Sequence, residues 1–282
     1  MLNNKVSLVL SSGGARGISQ IGVIEELERR GYSISSIAGC SIGAMVGGIY
    51  ASGKLPEFKD WLLSLTKMEI FRLMDFSFNR KGFLKAEKVF EKINPFISQK
   101  NIEDLPIHFA AVATDIYNNK EICFAKASLT KAIRASVAIP VFIQARGAED
   151  AILVDGGVMN PLPINRVVRS HNDVLIAVNV NDLSSDNILF ESKFKKDIAK
   201  KSIPKDIGLF DIMNMSFELT ISQLVNYSLK ENKPDLLIQI PRNCAGTFEF
   251  YSAEKLIEMG RFAAKHYLDE FEKEKDIPKI EF

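Results

Sequence analysis

Short apolar runs of strand length recur along this chain, and each early one ends in a glycine turn that opens a helix. Val6-Ser7-Leu8-Val9-Leu10 reads as a buried strand. It runs into Ser11-Ser12-Gly13-Gly14-Ala15-Arg16-Gly17, after which Ile18, Ile21, Val23, Ile24 and Leu27 recur at helical spacing. That predicts a helix over 17–30, stopped by Gly31. The unit repeats as a strand over 35–39 and a small-residue helix over 42–51. Further strands are predicted over 107–114, 122–124, 151–154, 174–180 and 236–240. Helices are predicted over 56–65, 85–96, 129–137, 164–169, 210–231 and 253–273. Such alternation requires a mainly parallel sheet covered on both faces. The expected fold class is α/β: a three-layer α/β/α arrangement with a mainly parallel central sheet. No internal repeat or linker divides the chain, so one domain over 1–282 is expected.

Charge narrows the function classes. Lys plus Arg total 36 and Asp plus Glu 35, a net charge of +1. A general affinity for nucleic acid needs a basic excess and is not expected. Cys40, Cys123 and Cys244 are too few and too scattered for a disulfide framework or a structural zinc site, which fits a reduced, cytoplasmic setting. Lys5 leads into only five strand-like residues before a glycine turn, so the pattern of a signal peptide is missing. No apolar run approaches the roughly 20 residues of a membrane-spanning helix. Contact with lipid is therefore expected to be peripheral. The loosest stretch, 182–205, carries six lysines from Lys193 to Lys205. It reads either as a solvated loop or as a patch for the headgroups of an anionic membrane.

Three glycine-containing turns follow predicted strands. The turn from Gly13 to Arg16 stands where free backbone N–H groups collect, which suits an anion or a developing oxyanion; a plain strand–helix turn explains it equally well. Neither the P-loop ending nor the spacing of a dinucleotide fingerprint is present, so a nucleotide-binding protein is the weakest reading. Gly39-Cys40-Ser41-Ile42-Gly43 matches G-x-S-x-G at a strand-to-helix junction. A sharp turn there exposes the Ser41 hydroxyl, Gly39 and Gly43 make room for it, and the N–H after it helps bind the transition state. Cys40 reads as a small apolar filler. Asp155-Gly156-Gly157 puts an acid at the carboxyl end of a strand, where open α/β sheets carry their sites, although an Asp-Gly turn would look the same. The only histidines are His108, His171 and His266, and none falls in a loop after a late strand, where a triad needs one. Asp155 is left as the base for Ser41.

These motifs, in this order, resemble the patatin-like phospholipases. Ala135-Ser136-Val137-Ala138-Ile139-Pro140 resembles that family's A-S-x-x-x-P block. The likeness runs from Val6 to about Tyr267. It implies an α/β/α fold and a Ser-Asp dyad that hydrolyses acyl esters of lipids with no metal or other cofactor. Ser41 then matches the nucleophile and Asp155 the dyad acid. Gly13, Gly14, Ala15 and Arg16 match the oxyanion-hole loop, and Gly156 and Gly157 complete the third motif. Ser11 stands where many bacterial members carry glycine.

The expected activity is that of a serine lipid acyl hydrolase working through an acyl-enzyme. An acyltransferase using the same dyad, and an inactive homologue that docks membranes, are the alternatives. Arg16 either positions an anionic headgroup or braces the helix start through a salt bridge. Trp61, Leu62, Leu65, Ile70, Phe71, Leu73, Met74, Phe76, Phe78 and Phe83 are candidates for the acyl-chain wall. Met213, Met215, Phe217, Leu219 and Leu224 are further candidates.

Overall fold

The computed structural model describes residues 4–74, 87–97, 100–139, 150–183, 190, 193–194 and 207–276. Among these residues, seven strands form one mixed, mostly parallel sheet. They are β1 (Lys5–Leu10), β2 (Ser33–Cys40), β3 (His108–Asp115), β4 (Lys120–Phe124), β5 (Leu153–Asp155), β6 (Val174–Asp182) and β7 (Leu236–Pro241). The order is β4-β3-β2-β1-β6-β7, with β5 also paired to β3. Strands β3, β2, β1, β6 and β7 are parallel, whereas β4 and β5 run antiparallel to β3.

Side-chain alternation shows why the sheet is covered on both sides. Leu8 and Leu10 of β1 belong to the main core with Ile176, Val178 and Val180 of β6. Val9, Leu175 and Ala177, pointing the other way, join a second cluster with Ile221 and Val225. The main-core face carries α1 (Ser19–Arg29), α2 (Ile42–Ala51), α6 (Leu129–Ser136) and the last helix, Ala253–Asp276. The second face is covered by the long helix Leu209–Glu231. Two further helices, α3 (Leu55–Ser64) and α5 (Glu87–Ile97), extend the main-core side, and α4 (Lys67–Met74) packs against α5.

The expected α/β architecture is present, with local differences, one of them the helix α4 where none was expected. The helix expected over 164–169 is a short 3-10 turn, Ile164–Arg166, after which Val167 is extended. Pro163 opens the turn, and β-branched Val167 and Val168 favour extended backbone over further helix. The strand expected over 151–154 is only Leu153–Asp155, and it runs antiparallel. Asp155 therefore does not reach the site from the carboxyl edge of a parallel strand.

Candidate active site

The meeting of the second and third motifs follows from strand register. Strand β2 pairs with β3 up to Cys40 opposite Val112, then turns away at Ser41. Strand β5 takes up the vacated edge, with Asp155 opposite Ala113, the next residue of β3. Neighbouring positions on one strand are about 3.3 Å apart, so β3 brings Ser41 and Asp155 together.

Ser41 is buried at the start of α2 with φ 55° and ψ −123°, a backbone that L side chains rarely adopt. Such a turn needs small neighbours. A Cβ on Gly43 would lie 2.3 Å from the Leu10 carbonyl oxygen, and one on Gly39 would lie 2.6 Å from that of Gly43. The Ser41 N–H donates to Ser136 Oγ at 2.8 Å. Its hydroxyl acts on the Asp155 carboxyl, favouring the ionised form.

Asp155 is buried, and that burial pushes its carboxyl up to about 6, against the opposing pull of Ser41, Gly157 and Cys40. The Gly157 N–H donates to Oδ1 at 2.7 Å, and the Cys40 thiol lies 3.9 Å from the same oxygen. The Asp155 N–H donates to the Ala138 carbonyl at 2.8 Å. Burial pushes the Cys40 thiol well up, which keeps it neutral and a poor nucleophile. Of the histidines, His108 and His171 are exposed, and His266 faces Glu270 at 3.3 Å on the last helix.

The first motif is pinned on several sides. Ser11 N–H bonds to Val178 O at 3.1 Å, Ser12 N–H to Pro161 O at 2.9 Å and Asn181 Nδ2 to Ser12 O at 2.7 Å. The Ser11 hydroxyl accepts the Val180 N–H at 3.1 Å. Gly14 has φ +57° and lines the same pocket as Ser41. The Ala15 N–H is engaged by the Thr247 carbonyl at 2.8 Å. Arg16 is buried, which lowers the pKa of its guanidinium. Its Nη1 donates to Ala245 O at 3.3 Å, and its Nη2 lies 3.8 Å from Glu218 Oε1. Glu218 also pairs with Arg242 and accepts from Thr247 Oγ1 at 3.1 Å. Of the two expectations for Arg16, the brace is the one this geometry supplies.

An apolar pocket opens on Ser41 and Gly14. Phe58, Trp61, Leu62 and Leu65 line it from α3 and its end, Ile70 and Leu73 from α4, and Val89, Phe90 and Ile93 from α5. Val137, Ile139, Phe248 and Phe250 complete much of the wall. The expectation for Trp61, Leu62, Leu65, Ile70 and Leu73 matches this lining. Phe71 is instead exposed. The side chains of Met74, Phe76, Phe78 and Phe83 lie outside the described residues. The second group needs correction. None of Met213, Met215, Phe217, Leu219 and Leu224 lines this pocket, because their helix packs on the opposite face of the sheet through Ile221 and Val225. Phe90 and Ile93 were signalled by their i, i+3 spacing in an amphipathic helix. Phe248 and Phe250 were signalled only by being aromatic in a turn after a strand.

The model of the patatin-like phospholipase family matches residues 8–168, which hold all three glycine turns. This chain belongs to the patatin-like phospholipases. An uncharacterised NTE family protein of Mycobacterium tuberculosis (strain ATCC 25618 / H37Rv) is 33% identical over 337 residues, covering 96% of this chain and 93% of that one. Lysophospholipase nte1 of Aspergillus niger is 25% identical over 303 residues, covering 99% of this chain and 19% of that protein. VipD from Legionella pneumophila, a solved structure, has a TM-score of 0.50 at 14% identity, covering 96% of this chain and 67% of that one; the likeness is one of fold. Patatin-like phospholipase membership and the lysophospholipase relatives together support a lipid-hydrolase activity.

Proposed function

We propose that this chain is a serine lipid acyl hydrolase in which Ser41 is the nucleophile and Asp155 its base. One observation carries the reading: strand register sets Ser41, on a strained elbow facing an apolar pocket, beside the buried Asp155 carboxyl, which its hydroxyl pulls down while burial raises it to about 6. A base tuned toward neutrality is matched to its task.

Asp155 takes the Ser41 proton as Oγ bonds to the ester carbonyl carbon, and the carbonyl oxygen becomes an oxyanion. Amides of the loop from Gly13 to Arg16 stabilise it, Gly13 and Gly14 foremost, since the Ala15 N–H is engaged by Thr247. The Ile42 N–H, first in α2, adds to them. The C–O bond to the alcohol then breaks, and the alcohol leaves with the proton held by Asp155. Water, deprotonated by the same carboxylate, releases the fatty acid from the acyl-enzyme. Arg16 holds the loop to Glu218 and Ala245 rather than touching substrate. The pocket's apolar wall suits an acyl chain.

We also assign peripheral contact with membrane lipid. Met68 and Phe71 are each 60% exposed on α4, the helix whose Ile70 and Leu73 line the pocket. Among the described residues no helix is long and apolar enough to cross a membrane. Of the lysines from Lys193 to Lys205, only Lys193 is among the described residues, where it pairs with Glu258 at 2.9 Å. Free Cys40, Cys123 and Cys244 agree with a reducing, cytoplasmic compartment.

The test is a panel of phospholipids, lysophospholipids and neutral esters, incubated with wild type and Ser41→Ala with and without an added alcohol acceptor. Free fatty acid from the wild type alone supports the reading. Acyl transfer to the acceptor without free acid would replace hydrolase by transferase. Equal release by a folded Ser41→Ala would end the assignment.

A further inference from the structure

Ser136 is fully buried at the end of α6 and takes no part in the chemistry above. Its hydroxyl accepts the Ser41 N–H at 2.8 Å and donates to the Val112 carbonyl at 2.6 Å. A hydroxyl is suited to this because one oxygen serves as acceptor and donor at once. Val112 is the β3 residue opposite Cys40, the last pair before β2 leaves the sheet. Two residues beyond Ser136, the Ala138 carbonyl accepts the Asp155 N–H at 2.8 Å. The turn that closes α6 therefore grips the backbone of the nucleophile and the backbone of the base.

We propose that Ser136 is a positioning residue for acyl transfer: it holds the strained Ser41 elbow at the distance from Asp155 that proton transfer requires. The proposal rests on the Ser41–Asp155 reading. Ser41 lacks a favourable backbone conformation of its own, so its place depends on outside restraints. Without the Ser136 hydroxyl, both the Ser41 N–H and the Val112 carbonyl lose a buried partner, and the elbow can relax away from Asp155. A shift of about 1 Å at a reacting group is enough to cost about 100-fold in rate.

The experiment uses the full chain and a p-nitrophenyl alkylphosphonate that labels the nucleophile. The maximal labelling rate and the half-saturating concentration are measured for wild type, Ser136→Ala, Ser136→Cys and Ser41→Ala, with thermal unfolding recorded alongside. The maximal rate should fall about 10- to 100-fold in Ser136→Ala, with the half-saturating concentration within about twofold. Ser136→Cys, whose thiol fills the same space with weaker hydrogen bonds, should fall between the two. The pH midpoint, near 6 in the wild type, should not fall, because the relaxed elbow takes away the Ser41 hydroxyl that holds Asp155 down while its burial stays. A folded Ser136→Ala labelled at the wild-type rate overturns the proposal. If that variant does not fold, Ser136→Cys decides in the same way: slowed labelling at unchanged half-saturation supports the role, and the wild-type rate refutes it. Wild type that takes no label on Ser41 counts against the dyad reading instead, whatever Ser136 does.

Discussion

Asp155 lies one step along β3 from Cys40, since Cys40 faces Val112 and Asp155 faces Ala113. That step sets Ser41, the next residue after Cys40, beside a carboxyl from a distant part of the chain, and its hydroxyl favours the ionised form of that carboxyl.

The first consequence is a pH profile. Asp155 must be ionised to accept the Ser41 proton, so kcat/KM should be constant above neutrality and fall in acid, with a midpoint near 6. Stability moves the opposite way. Between about 4 and 6 the folded chain keeps a proton on Asp155 that the unfolded chain has lost, so this group's contribution declines as pH rises through that window. At pH 7 the buried charge costs about 3 kcal/mol. Asp155→Asn should therefore be inactive yet melt at or above the wild-type temperature at pH 7, with that margin shrinking toward pH 4. Calorimetry and kinetics on the two proteins check both signs.

Histidine is not expected to act. His108 and His171 are exposed, and His266 is engaged with Glu270 away from Ser41. Each folded His→Ala variant should keep turnover within about tenfold of wild type, below about 1.4 kcal/mol in transition-state stabilisation. A histidine variant as inactive as Ser41→Ala would reveal a triad.

Pocket shape should govern chain length. Val89 lines the pocket from α5 and is only partly buried, so Val89→Trp fills space without breaking a core. Hydrolysis of a long-chain p-nitrophenyl ester should fall at least about tenfold, the worth of one or two lost methylene contacts. The acetate or butyrate ester should stay within about threefold. An equal loss on both would mean that the acyl chain binds elsewhere.

Membrane contact separates into two arms. Phe71→Ser should weaken binding to phosphatidylcholine vesicles at any salt, because its exposed ring is apolar. Glutamine in place of the lysines from Lys193 to Lys205 should weaken binding only to anionic vesicles. That effect should vanish near 1 M salt, where the Debye length is about 3 Å. Unchanged vesicle binding in the lysine variant at low salt would return that stretch to a solvated loop.

The parallel strands and the first two glycine turns were legible because their signals are local: apolar runs of strand length, then glycine, then helical spacing. Gly43, where a Cβ would lie 2.3 Å from Leu10 O, is such a signal explained. What stayed hidden depends on distant partners. Three residues, Leu153–Asp155, carry no periodicity, so nothing in them announces an antiparallel pairing with β3. Apolar residues occur all round the helix Leu209–Glu231, so its pattern does not say that Ile221 and Val225 pack while Met213 and Met215 stay exposed. The engagement of Ala15 N–H by Thr247, and of Ser41 N–H by Ser136, are long-range contacts with no mark in either segment. By sequence Arg16 fits a headgroup ligand and a brace equally; the distinction lies in Glu218, a distant partner.

The most direct test is peptide mapping by mass spectrometry after reaction with the alkylphosphonate, on wild type and Ser41→Ala. The phosphonyl group should be found on Ser41 in the wild type, at one per chain, and on no residue of the variant, with esterase activity lost in step. Label on Cys40 or on any other residue in place of Ser41, or full hydrolysis by folded Ser41→Ala, would contradict the account.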